Sequence, residues 1–189
     1  MSMPRSRRGL LWRREGTAAV ELALISPMLM ILFAGIIDFG RAYREEIELS
    51  SSVAAAAQYA LLNVASINSA GAASLASVLS GIVANTNGAA WAGASITLND
   101  GATNAITGGV TTTSGVAANA NSCWCPTGAN VSGSWGSAVS CGAACAGGGG
   151  TLAGKFVTIA GTRSFTAIFT GYGAIGNITL RQSSVVQAQ

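Results

Sequence analysis

The chain has 189 residues, enough for one compact domain and an anchor, with half of them hydrophobic, only 9% charged and no histidine. An ordinary cytosolic domain carries about a quarter charged residues, so this composition points to an exported surface protein kept soluble by hydroxyls and amides. The net charge of +3 is a leader property: five arginines less Glu15 give +4 over residues 1–16, and five basic less six acidic residues give −1 over the rest, with no basic patch that would suit nucleic acid.

Residues 1–16 form a polar, Arg-rich leader, and residues 17–40 form a continuous apolar run. As a helix that run spans ~36 Å, enough to cross a hydrocarbon core of ~30 Å. Glu21 and Asp38 are its only charges. Five arginines precede it and Arg41 and Arg44 follow, so the positive-inside rule puts the N-terminus in the cytoplasm. A cleaved secretory signal fits less well. Its best exit is Phe33-Ala34-Gly35, with Leu32 poorly suited to the upstream position.

The helical pattern runs past the apolar segment. Ile36, Gly40, Tyr43, Ile47, Ser50, Ala54, Ala57, Leu61 and Val64 recur at alternating spacings of four and three. One helix over residues 17–65 is therefore expected, about 70 Å long, transmembrane over 17–40 and amphipathic over 41–65. Pro27 should kink it or remove one backbone hydrogen bond. Residues 70–84 can form a second, short helix. The runs 95–98, 105–113, 155–169 and 177–186 are rich in Val, Ile, Thr and Phe and read as strands, and residues 146–150 read as a flexible connector. The fold class is α+β. The outer half of the long helix is expected to pack on a small, mostly antiparallel sheet within an exported domain over 66–189.

A charge inside a membrane helix costs ~3 kcal/mol on insertion scales, which makes Glu21 a functional candidate. The bland alternative is an interfacial carboxylate that reaches back to water. Ala19, Ala23, Gly35 and Gly40 offer small surfaces for close helix packing in lipid.

The string RREGTAAVELALISPMLMILFAGIIDFGRAY resembles the TadE-like pseudopilins of the tight-adherence (Tad/Flp) pilus system, with the likeness strongest over residues 13–59. Gly16, the Ala18-Ala19-Val20-Glu21 run, Pro27 and the Asp38-Phe39-Gly40-Arg41 exit carry it, although Glu is more usual than Asp38 there. The resemblance implies a pilin-like fold and cleavage between Gly16 and Thr17 by a membrane aspartyl prepilin peptidase. It implies a minor subunit in the bacterial inner membrane, with its C-terminal domain periplasmic. Its partners would be that peptidase, other pilins or pseudopilins, and the inner-membrane assembly platform. A small residue at the cut admits the backbone to a peptidase cleft. Cleavage would expose a cationic Thr17 amine one helical turn from Glu21. In pilins the corresponding Glu is thought to meet the amine of a neighbouring subunit, which would fix the register between helices. The alternative is a bitopic envelope protein or adhesin that keeps its leader and never enters a filament.

Cys123, Cys125, Cys141 and Cys145 lie on the expected exported side, in a Cys-rich loop over residues 123–145, and read as two disulfides. A Cys123–Cys125 bond would need a strained small ring. That leaves Cys123–Cys141 with Cys125–Cys145, or Cys123–Cys145 with Cys125–Cys141. A four-cysteine zinc site is the weaker rival, because the C-x-C spacing is tight. Gly149, Gly154 and Lys155 mimic a phosphate loop, but Phe156 stands where the Mg²⁺ ligand belongs. Trp91, Trp124 and Trp135 are expected to pack in the core or cap the disulfides. Without a histidine or paired carboxylates in the exported part, neither catalysis nor a cofactor is expected.

Overall fold

The computed structural model describes residues 12–125, 137–145, 151–170 and 176–188. The first element, α1, runs Trp12–Leu62 without interruption. Pro27 lies inside it and supplies no N–H to the ladder, yet the helix continues on both sides. The helix therefore starts before Gly16, and ends three residues short of the expected position 65. At its end the Asn63 backbone N–H and side-chain amide both donate to the Tyr59 carbonyl. A short 3-10 turn over Val64–Ser66 follows. The Asn68 side-chain oxygen then accepts from the N–H groups of Ala70 and Gly71 and leads the chain into α2, Ala72–Asn85. A Cβ on Gly71 would stand 2.6 Å from the Ser66 carbonyl oxygen, so this corner has no room for a side chain.

Five strands follow: β1 Gly93–Leu98, β2 Thr103–Thr107, β3 Val110–Ser114, β4 Phe156–Phe165 and β5 Ile178–Gln187. They form one sheet in the order β3-β2-β1-β4-β5, and all its pairings are antiparallel. The fold is α+β. The run expected as one strand over 105–113 is two, because Gly108 and Gly109 both take positive φ and close a two-residue hairpin between Thr107 and Val110.

The contacts divide the chain into two units. One comprises Met1–Ala42 with Thr166–Asn177, the other Tyr43–Phe165 with Ile178–Gln189. In the second unit, α2 and the outer half of α1 share a core with the sheet. Leu75, Ala76, Leu79 and Val83 of α2 and Val53, Ala56 and Ala60 of α1 are buried there with Ile96, Leu98, Val157 and Ile159. Gly161 of β4 marks the tightest point. A Cβ there would stand 2.9 Å from Leu49 Cδ1, and 3.1 Å from Val53 Cγ2 and Val83 Cγ1.

The face of α1 turned inward differs from the stripe read in the sequence. Leu49, Ser52, Val53, Ala56 and Ala60 are buried, whereas Tyr43, Ile47 and Leu61 are roughly half or more exposed. Polar contacts and small residues explain the choice. Glu45 accepts from Arg163 Nε at 3.1 Å, and Arg163 also donates to the Trp91 carbonyl and lies 5.2 Å from the centre of its ring. Glu48 accepts from Arg44 and Asn87, and Glu46 from Gln182. Ala56 and Ala60 let the helix approach closely, which the bulkier stripe does not.

Cys123 is bonded to Cys141 and Cys125 to Cys145, one of the two connectivities the sequence left open. The segments they join are also held by backbone pairing of Cys123 with Val139, Trp124 with Gly154 and Ala144 with Leu152. Trp124 is buried between the two disulfide positions, Trp91 sits on Arg163, and Trp135 lies outside the described residues. Lys155 donates to the Ile67 carbonyl at 2.7 Å, a structural task.

Three outcomes are expected. Gly161→Val should lower stability by ~1–3 kcal/mol through overpacking, read as a lower denaturation midpoint of the full chain in detergent. Opening the Cys125–Cys145 bond by Ser substitution of both cysteines should cost about 3 kcal/mol, because a loop of separation 20 is released. Thiol trapping of the unaltered protein should find no reactive cysteine.

Candidate functional site

The inner half of α1 carries the residues singled out in the sequence. Between residues 17 and 40 only Ala34 and Asp38 are buried, and Ser26 and Gly35 are half-buried. Everything else in that run is exposed, including Leu24 at 76%, Met28 at 74% and Phe39 at 67%. A contiguous exposed apolar surface of this extent is the mark of a surface that meets a membrane or another protein. The helix is long and apolar enough to cross a membrane.

Gly16 and Thr17 lie in helical backbone on the exposed surface. Among the described residues a Cβ on Gly16 or Gly40 would meet nothing within 4 Å, so packing there does not require either glycine. Ala19 and Ala23 are likewise exposed, and Gly35 is half-buried. Glu21 stands one turn beyond Thr17 and is exposed, and no salt bridge among the described residues involves it. Gly16, Thr17, Ala19, Glu21 and Ala23 thus lie together at one end of a single helix, all on exposed positions.

Asp38 is treated in the opposite way. The residue is 1% exposed. Its two oxygens accept the backbone N–H groups of Ile168 and Phe169, each at 2.9 Å, and Arg41 Nη1 lies 3.7 Å from Oδ1. Phe169 lines one apolar cavity together with Met30, Phe33, Ala34 and Ile37, which occupy one face of the helix. Charge-assisted bonds to two successive amides satisfy the carboxylate almost completely, which is how it tolerates burial beside an apolar helix. Sequence reasoning placed Asp38 only as a mark of the exit from the apolar run. The signal that could have suggested more is an acid in an apolar helix followed three residues later by Arg. Its partner lies 130 residues away, and nothing local points to it.

Removing the carboxylate should release this loop. Asp38→Ala should reduce hydrogen-exchange protection of the Ile168 and Phe169 amides about ten- to a hundredfold, since bonds to a charged group are worth ~1.5–3 kcal/mol each. Asp38→Asn keeps one acceptor oxygen and should fall between. Unchanged protection in Asp38→Ala would refute the clasp.

Comparison with known proteins places the same helix. No curated protein and no solved structure matches the chain. A family model does match, that of the TadE-like protein, over residues 16–58. The matched segment begins at the glycine before the apolar run and ends in the part of α1 that packs on the sheet. Over residues 16–58 the chain is similar to the TadE-like family, which is consistent with a TadE-like protein of the Tad pilus system.

Proposed function

We propose that the chain is a minor pseudopilin for assembly of a Tad/Flp-type pilus. In this reading it is inserted in the bacterial inner membrane with its N-terminus in the cytoplasm. A prepilin peptidase cuts between Gly16 and Thr17, and the mature helix joins other pilins or pseudopilins at the assembly platform. The observation that carries the reading is the exposed inner half of α1, apolar on nearly every side and bearing one acid, Glu21, with no ion pair among the described residues.

The chemistry at the cut follows from the helix. A peptidase needs an extended strand in its cleft, and residues 12–17 are helical. Gly16 lowers the cost of unwinding, since Gly is ~1 kcal/mol less favourable in a helix than Ala. Cleavage removes the +4 leader and creates an amine on Thr17. A neighbour's Thr17 amine could then meet Glu21. Two smooth apolar helices can slide, and a buried charge pair penalises the wrong offset. Breaking such a pair costs ~3–5 kcal/mol, because one charge is left uncompensated. The size of the second unit supports a minor subunit, since a simple shaft pilin needs far less.

N-terminal sequencing of the mature protein tests the cut. A Thr17 start is expected, and an intact Met1 or Ser2 start would favour a bitopic envelope protein or adhesin that keeps its leader. Glu21→Ala should still be cleaved but should fail to assemble, with surface pili lost at normal subunit levels. Normal piliation in that variant would defeat the register role.

A further inference from the structure

The first unit joins to the apolar helix a segment far away in sequence, Thr166–Asn177. The part of it that follows β4 directly, residues 166–170, carries two large apolar side chains. Phe169 is half-buried and lines one apolar cavity with Met30, Phe33, Ala34 and Ile37. Ile168 beside it is 58% exposed. The four helix residues lie three to ten positions inside Gly40, which is about 5–15 Å along the axis from the end of the apolar run. A segment held at that level lies beside helix that lipid would surround.

We propose that residues 166–170 dip into the bilayer interface at the Gly40 end of the span, with Ile168 as the side chain that enters the lipid. Three observations support a phospholipid surface as the occupant. The patch is continuous with the apolar surface of the membrane helix, through Phe33, Ile37 and Phe39. The sequence carries no charge between Arg163 and Arg181, so nothing in this stretch resists the interface. The backbone is also prepared for low dielectric. Non-helical N–H groups cannot be left unpaired near hydrocarbon, and Asp38 takes up those of Ile168 and Phe169 with both of its oxygens. Asp38 then has two tasks: it is itself shielded from lipid by the segment, and it removes the polarity of that segment. Arg41, 42% exposed and 3.7 Å from Asp38, is placed to reach headgroups at the same level.

This inference rests on the membrane-spanning reading of α1, and the test separates the two. The full chain is reconstituted in phosphatidylcholine–phosphatidylglycerol vesicles as single-site variants labelled with an environment-sensitive fluorophore. The native cysteines are paired, so Ile168→Cys, Leu32→Cys and Thr112→Cys each offer one thiol. Leu32 is exposed on the helix and reports the span. Thr112, exposed on the edge strand β3, reports the aqueous reference. The label at 168 should be blue-shifted and several-fold better quenched by lipids spin-labelled near the headgroup than by aqueous iodide. The label at 32 should be quenched by lipids spin-labelled deep in the chain. If 32 is lipid-quenched and 168 behaves like 112, the interfacial loop is wrong and the span stands. If 32 is not lipid-quenched, both fail. Shielding of 168 from both quenchers would mean that protein covers it, which also overturns the proposal.

Discussion

Leu49, Val53 and Val83 converge on the one point in β4 where no side chain stands, Gly161. That close approach joins the outer half of α1 and α2 to the middle of the sheet, and the remaining core is arranged around it. Each buried Leu or Val is worth ~1.5–3 kcal/mol in apolar transfer, so a few such contacts outweigh any surface ion pair in the chain. The polar contacts of the helix, one ion pair and two amide hydrogen bonds, have a different effect. Glu45, Glu46 and Glu48 all find partners outside the helix, in Arg163, Gln182 and Asn87. Together they favour one rotation of α1 about its axis, and the small side chains of Ala56 and Ala60 let that face come close.

The rotation leaves Tyr43, Ile47 and Leu61 outside, on the same helix as the exposed apolar run. A single helical backbone therefore serves two environments. Its inner half presents apolar surface in nearly all directions, a pattern that suits lipid or a bundle of like helices. Its outer half is committed on one face to its own sheet. The TadE-like match covers 16–58, which includes the inner half and most of the outer, while the sheet and the disulfide-linked segments lie beyond it.

The two acids of the apolar run show how burial is reconciled with charge in two ways. Asp38 is buried and has its partners within the chain, two amide hydrogens and a nearby arginine. Glu21 is exposed and has no ion pair among the described residues. In lipid an unpaired carboxylate is costly, which is the physical ground for the register role proposed for Glu21. The proposed pairing with a Thr17 amine of another subunit supplies one.

Local pattern was enough to read the long helix, the second helix, the β-rich remainder and the α+β class, because each depends on periodicity and on the placing of Gly and Pro. It also carried the likeness to the TadE-like family, which resides in contiguous residues. It did not select the buried face of α1. Two apolar stripes fit one helix, and the choice rests on Arg163, Gln182 and Gly161, more than a hundred residues away. It did not divide 105–113 at Gly108–Gly109, where only the pairing of Thr107 with Val110 defines the turn. It left two disulfide connectivities open, because the spacing of four cysteines does not say which backbones lie together. Nor did it disclose Asp38, whose partners are backbone amides 130 and 131 residues further on. The sequence by itself determined where this chain is helical, where it is apolar and which acid is anomalous. Tertiary structure decided which surfaces are used up within the chain and which remain for other molecules, since that depends on contacts between residues distant in sequence.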